Sequence, residues 1–323
     1  MRTAVSVSES ALTGPKVLVA QSGSRVSDPT ERARQYRYAR RVPVGLILML
    51  TIMLGADSMQ AQTNAGRYAD VNGIRMYYEL HGTGQPLVLI HGGGSTINTS
   101  WGRILPTLAK AHRVIAVELQ AHGRTSDRKA PETFAQDADD VAELLRQLNI
   151  AKADVLGFSN GGSTALQVAI RHPDRVGKVI AVSAIYRRDG VPPEFWSFME
   201  KGTLADMPEV YKKEFLRLTP DSGKLLTMFQ RDQQRMLTFK DWNAADVQAI
   251  RAPTLIVVGD QDIVRPEHAV ELMRLLPNGR LVILPGRHGE FLGEASFPPS
   301  DSKVPELFVS VVDEFLASRD LRK

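Results

Sequence analysis

The chain has 323 residues, 43% of them hydrophobic, enough for one large domain or two smaller ones with a real core. Its formal charge of +4 comes from the N-terminal end: eight of the 40 Lys and Arg but only four of the 36 Asp and Glu fall in residues 1–61, so residues 62–323 are formally neutral, without a basic patch or a nucleic-acid-binding motif. There are no cysteines, which excludes disulfides, thiolate metal sites and a cysteine nucleophile together.

The first feature along the chain is a leader. Residues 42–56, VPVGLILMLTIMLGA, are the long uncharged apolar run; RYARR (Arg37 to Arg41) stands before it and DSMQAQ after it. A positive stretch, an apolar segment and a small residue at Ala61 make up a secretory signal peptide, with cleavage expected after Ala61. The run is shorter than the roughly 20 apolar residues of a spanning helix, so a membrane anchor is the weaker alternative, and no stable membrane insertion is expected after processing. The polar residues ahead of it read as disordered and are long for a signal peptide's charged start. The expected division is therefore a leader over 1–61 and a folded domain over 62–323, exported to the periplasm or the medium.

From residue 68 strand-like and helix-like segments alternate. RYADV and RMYYEL flank Asn72-Gly73, a hairpin signal. PLVLI (Pro86 to Ile90) is a continuous apolar run, as expected of a strand buried on both faces. The glycine loop HGGGS (His91 to Ser95) follows it. Backbone N–H groups approach a substrate closely where side chains are absent, so Gly93 is the first candidate oxyanion donor; a phosphate loop is the weaker reading, because no GK[ST] and no G-x-G-x-x-G follows. Trp101, shortly after, either touches substrate or packs on the first helix. RVIAVEL (Arg113 to Leu119) is the next strand. ETFAQDADDVAELLRQL places Phe134, Ala138, Val141, Leu144 and Leu145 on one helical face.

The strand ADVLGF and the helix GGSTALQVAIRH then enclose Ser159, with Gly157 and Gly161 two residues away on either side. A sharp strand-to-helix turn strains its central residue and presses its neighbours together, and glycines at those two places remove the side chains that would clash. The serine oxygen is then exposed at the carboxyl edge of the sheet, beside a helix N-terminus that favours developing negative charge. Asn160, next in the chain, supplies the second oxyanion N–H and is a further candidate for contact with substrate. The strand KVIAVSAI follows. Residues 187–249 carry no convincing buried strand but many aromatics, including Phe195, Trp196, Tyr211, Phe229 and Trp242, and are expected to be short helices forming a lid, with a few of these side chains facing a site below. PTLIVVG, AVELMRLL, RLVILPG and PELFVSVVDEFLAS close the chain as strand, helix, strand, helix.

A nucleophilic serine needs a base, and the base an orienting acid. His81, His112 and His172 sit at the ends of elements and read as surface or capping residues, and His268 lies within a helix. His288, in the loop GRHGEF after a strand, is placed where a base belongs, at the sheet's carboxyl edge. Asp260 and Asp262 in GDQD follow another strand; Asp262, further out along the loop, is preferred as the acid, Asp260 as a turn-shaping residue, with Asp189 a distant third.

Together, HGGG after the third strand, GFSNGG at the turn, GDQD after a late strand and GRHG after the last one resemble the α/β-hydrolase superfamily over roughly residues 66–320. The resemblance implies an α/β fold, a mostly parallel eight-stranded sheet with helices on both faces and a small helical lid, and a Ser159–Asp262–His288 triad. One stretch departs from the pattern: VELQAHGRTSD has Glu118 where an aspartate is usual and Ala121 where a glycine is usual. Serine at the turn argues against epoxide and halide chemistry. The expected activity is hydrolysis of carboxylic esters through an acyl-enzyme, on a small-molecule substrate and with no metal or organic cofactor. The alternatives are a lactonase or carbon–carbon bond hydrolase with the same triad and, less favoured, a non-catalytic small-molecule receptor.

Overall fold

Asn72 and Gly73 both have positive φ, 43° and 86°, in the computed structural model, which describes residues 66–318. Left-handed backbone at two successive residues matches the twist of a two-residue hairpin, here between β1 (Arg67–Val71) and β2 (Ile74–His81). The apolar run at 42–56 and the expected cleavage after Ala61 lie outside the described residues.

Six strands follow: β3 (Gln85–Ile90), β4 (His112–Val117), β5 (Ala153–Phe158), β6 (Val176–Val182), β7 (Thr254–Gly259) and β8 (Gly279–Leu284). They form one open sheet in the order β1-β2-β4-β3-β5-β6-β7-β8. The pairs β1/β2 and β2/β4 are antiparallel and every other pair is parallel. The mostly parallel eight-stranded sheet expected from the sequence is thus the observed one.

Parallel neighbours need crossovers, and helices supply them. Two short helices, α1 (Ile97–Trp101) and α2 (Leu105–Leu108), lead from β3 to β4; α3 (Phe134–Gln147) leads to β5, and α4 (Asn160–Arg171) to β6. Between β6 and β7 the chain inserts four helices and no strand: α5 (Pro193–Lys201), α6 (Glu209–Leu218), α7 (Ser222–Thr238) and α8 (Ala244–Gln248). Then α9 (Pro266–Leu275) joins β7 to β8, and α10 (Val304–Ala317) follows the last strand.

Side chains alternate across each strand, and both faces are covered. Val88, Val155, Val179 and Ile256 pack with Val141 and Leu145 of α3, Leu166 of α4 and Leu272 of α9. Leu89, Leu156, Ile180 and Val257 point the other way, against Trp101, Leu108 and Phe308 of α1, α2 and α10. This two-sided burial is why PLVLI of β3 reads as a continuous apolar run. No helix among the described residues is long and apolar enough to cross a membrane.

Candidate active site

The chain leaves β5 at Phe158 and enters α4 at Asn160, so Ser159 alone makes the turn. Its φ of 55° and ψ of −119° lie in a sparsely populated region. Such a conformation costs about 1–3 kcal/mol and persists only where the surroundings impose it. Here they do: the Ser159 N–H donates to the Val182 carbonyl of β6 at 2.8 Å, and its carbonyl accepts from the N–H groups of Gly162 and Ser163. The flanking glycines behave as the sequence requires. A Cβ at Gly157 would overlap the Gly161 carbonyl, and one at Gly161 would overlap the Ile90 carbonyl of β3.

His288 lies in the loop after β8. Its Nε2 is 3.0 Å from Ser159 Oγ and its Nδ1 is 2.7 Å from Asp262 Oδ1. Asp262 is fully buried in the loop after β7, while the imidazole remains about a quarter exposed. Around Asp262, the Ser183 hydroxyl donates to Oδ2 at 2.6 Å and the Val264 N–H to Oδ1 at 3.0 Å. Burial alone would raise this carboxyl, but the charge and hydrogen bond of His288, with the Ser183 and Val264 donors, outweigh it and hold it below its usual range. It therefore stays an acceptor, and His288 carries its proton on Nδ1, leaving Nε2 to face the serine. Asp260 serves elsewhere: its Oδ1 accepts from the Gly286 N–H and so ties the β7 and β8 loops. Asp189 pairs with Arg187. His81 and His112 stand at strand ends but are largely buried rather than at the surface, paired with Glu79 and Asp313. His172 pairs with Asp139, and His268 is buried on α9 against Tyr186.

The glycine loop closes the other side. Gly93 and Asn160 border the cavity at Ser159, and among the described residues the N–H of neither has a hydrogen-bond partner. Behind the loop, buried His91 donates from Nδ1 to the Gly92 carbonyl and accepts at Nε2 from the Leu119 N–H. Burial, with the charge of neighbouring His122, pushes His91 down to about 3, so it is the neutral tautomer that braces the loop.

These groups open into a cavity of about 390 Å³. The inserted helices roof it with apolar side chains: Phe195, Phe198 and Met199 of α5, Tyr211 of α6, Phe229 and Met236 of α7. Trp196 and Trp242 pack instead around Phe239. No Lys or Arg lines the cavity, and its one acidic side chain is Asp232. Trp101 corrects a sequence expectation. It is fully buried on the sheet face opposite α3 and α4, among Ile104, Leu108 and Phe308, and does not line the cavity, because α1 turns its indole into that core. Among the described residues no group of three or more His, Cys, Asp or Glu is placed to hold a metal.

Sequence reasoning missed one element of the site, a buried ionic cluster behind the glycine loop. Asp232 of α7 accepts the Gly94 N–H on Oδ2 at 2.5 Å, His122 Nε2 on the same oxygen at 2.9 Å, and the Asn160 side-chain amide on Oδ1 at 3.2 Å. Arg235, one turn along, pairs with Glu132, Asp137 and Asp232. In the sequence these are ordinary charges on a polar-looking insertion and helix; no spacing distinguishes them. The departure at 118–121 is also accounted for. Buried Glu118 pairs with Arg124 and accepts the Arg124 N–H at 2.7 Å, and Ala121 takes a positive φ of 63°, so the segment shapes a loop.

A family model described as alpha/beta hydrolase fold matches residues 85–245. The dihydrolipoyllysine-residue acetyltransferase component of the acetoin cleaving system of Cupriavidus necator is 41% identical over 128 residues, 39% of this chain and 34% of that one. The 2-hydroxymuconate semialdehyde hydrolase of Pseudomonas sp. (strain CF600) is 36% identical over 132 residues, 40% of this chain and 46% of that one. The chain thus spans less than half the length of these two curated relatives. Among solved structures, the enol-lactonase from Burkholderia xenovorans LB400 superposes with a TM-score of 0.62 at 23% identity, over 78% of this chain and 100% of that one, a likeness of fold.

Proposed function

The chain belongs to the α/β-hydrolase superfamily, and from that premise we propose that it is a serine hydrolase of small, neutral carboxylic esters. The observation that carries this reading is the unbroken relay from Asp262 through His288 to Ser159, at 2.7 and 3.0 Å, opening beside free backbone N–H groups.

In this mechanism Ser159 Oγ attacks the ester carbonyl as His288 Nε2 takes its proton. Asp262 keeps the imidazole in the productive tautomer and stabilises the imidazolium. The N–H groups of Gly93 and Asn160 receive the oxyanion, aided by the N-terminus of α4. His288 then returns the proton to the leaving alcohol, and a water activated by the same imidazole releases the acid. The inserted helices act as a lid that excludes bulk water from the acyl group.

The cavity favours a neutral substrate. The muconate semialdehyde that gives one relative its name carries a carboxylate, and a carboxylate taken out of water needs a cationic partner. No Lys or Arg lines this cavity to supply one. Aromatic and thioether side chains fit an apolar acyl chain instead.

The test is hydrolysis of nitrophenyl esters of increasing acyl length, with a fluorophosphonate as a covalent probe of the nucleophile. We expect turnover of neutral esters, with Ser159→Ala lowering kcat by about 10⁶-fold, to the assay floor, and abolishing labelling. Folded protein that neither labels nor turns over any ester would sink the reading and leave the receptor alternative; labelling without ester turnover would point to a lactone or a carbon–carbon bond.

A further inference from the structure

We propose that Asp232 is a positioning residue for the oxyanion hole, set there by the inserted helix α7 and neutralised from behind by His122 and Arg235. The inference rests on the serine-hydrolase reading and adds to it a residue that holds the catalytic donors in place without touching the reacting atoms.

The geometry is specific. One carboxylate gathers three donors from three elements. Its Oδ2 takes the N–H of Gly94, the residue after the donor Gly93. Its Oδ1 takes the side-chain amide of Asn160, the residue whose own backbone N–H is the second donor. The third donor, His122 Nε2, comes from the loop after β4. Asp232 therefore ties together the two segments whose separation decides whether both N–H groups can point at one oxygen. A glycine loop has no side chains with which to hold itself, and the effect of an oxyanion hole depends on donors already in place before charge develops.

A carboxylate beside an oxyanion would ordinarily oppose catalysis by repelling the negative charge that forms there. The surrounding groups remove that objection. His122 has acceptors on both ring nitrogens, the Gln120 carbonyl at 2.8 Å from Nδ1 and Asp232 at 2.9 Å from Nε2, which is the pattern of an imidazolium. Burial alone would lower its pKa, but the charge and hydrogen bond of Asp232, with Glu132 nearby, push it up to about 9. Arg235 Nη2 lies 3.6 Å from Asp232 Oδ1. Two cations behind Asp232 let it remain ionised and keep accepting, while the charge felt in the cavity is small. The cluster is otherwise unexplained, because none of its members is in the Asp262–His288–Ser159 relay.

The experiment compares the full-length protein with Asp232→Asn, Asn160→Ala and Ser159→Ala, reading kcat and KM for a neutral ester and the rate of fluorophosphonate labelling. Asp232→Asn keeps the shape but replaces one acceptor with an amide donor facing other donors. The expected result is a fall in kcat of about 10- to 100-fold, below the loss for deleting an oxyanion donor itself, with KM within about twofold and a parallel fall in labelling rate. Asn160→Ala keeps the backbone donor and cuts one tie; it should lower kcat by about 3- to 10-fold, again with KM little changed. A folded Asp232→Asn protein with wild-type kcat and labelling, or with a loss confined to KM, overturns the proposal. Should that variant fail to fold, Asn160→Ala decides: unchanged kcat and labelling overturn it. Wild-type protein that does not label at all marks failure of the hydrolase reading, and this inference falls with it.

Discussion

At the residue scale, His288 depends on a carboxylate that is kept ionised deep in the protein. Asp262 is fully buried yet held below the usual carboxylate range, because His288, Ser183 and Val264 all donate to it. An amide in its place could donate to Nδ1 and would turn the imidazole to the wrong tautomer. Asp262→Asn is therefore expected to lower kcat by about 10⁴-fold with KM little changed, measured on the same ester. Asp260, two residues earlier, ties a turn through the Gly286 N–H. Asp260→Asn can keep that acceptor oxygen, so its kcat should stay within about twofold of wild type. Equal losses from the two substitutions would contradict the assignment of roles.

At the scale of elements, the site is made where one turn joins β5 to α4 and one loop leaves β3. Their closeness depends on Gly161, whose missing side chain lets α4 start against the Ile90 and His91 carbonyls. Gly161→Ala pushes the helix N-terminus away from β3. Backbone cannot yield as a flexible side chain can, so the expected cost is about 1–3 kcal/mol, read as a lower urea midpoint, together with loss of activity. A variant of full stability and full activity would mean that the turn relaxes freely. The inserted helices belong to the same scale. Phe195, Phe198 and Met199 of α5 face the cavity while Trp196 beside them packs on Phe239, so the insertion divides its aromatics between lining the cavity and anchoring itself.

At the scale of the whole molecule, the buried cluster links stability to pH. His122 is raised from its ordinary value to about 9 and Glu132 to about 8, burial being the leading cause for Glu132. Between pH 6.5 and 9 the folded protein therefore holds protons that the unfolded chain has released, and the slope of stability against pH is negative. The contribution of His122 is complete below about pH 6.5 and is lost as pH rises through about 9. Each such proton weakens the fold by about 1.4 kcal/mol per pH unit inside that window. Urea midpoints are expected to fall steadily from pH 6.5 to 9, and His122→Gln should flatten the curve while lowering its neutral value. A flat wild-type profile would show that the imidazole is not held protonated.

What was legible in the sequence is whatever the chain encodes locally. Continuous apolar runs marked β3 and β4 because strands inside the sheet are buried on both faces, and Asn72-Gly73 marked the hairpin because few other pairs accept two positive φ angles. The spacing of Gly157, Ser159 and Gly161 made the strained turn readable, and the loops carrying His288 and Asp262 could be placed once the strands before them were recognised. Side-chain direction was not legible. Trp101 and Gly93 lie eight residues apart, yet one faces the core and the other the cavity, since α1 rotates between them. Asp232 meets Gly94 across 138 positions and His122 across 110. Contacts over such separations leave no period and no motif in the chain; only the packing of α7 over the sheet's carboxyl edge brings those charges together, and with them the arrangement behind the glycine loop.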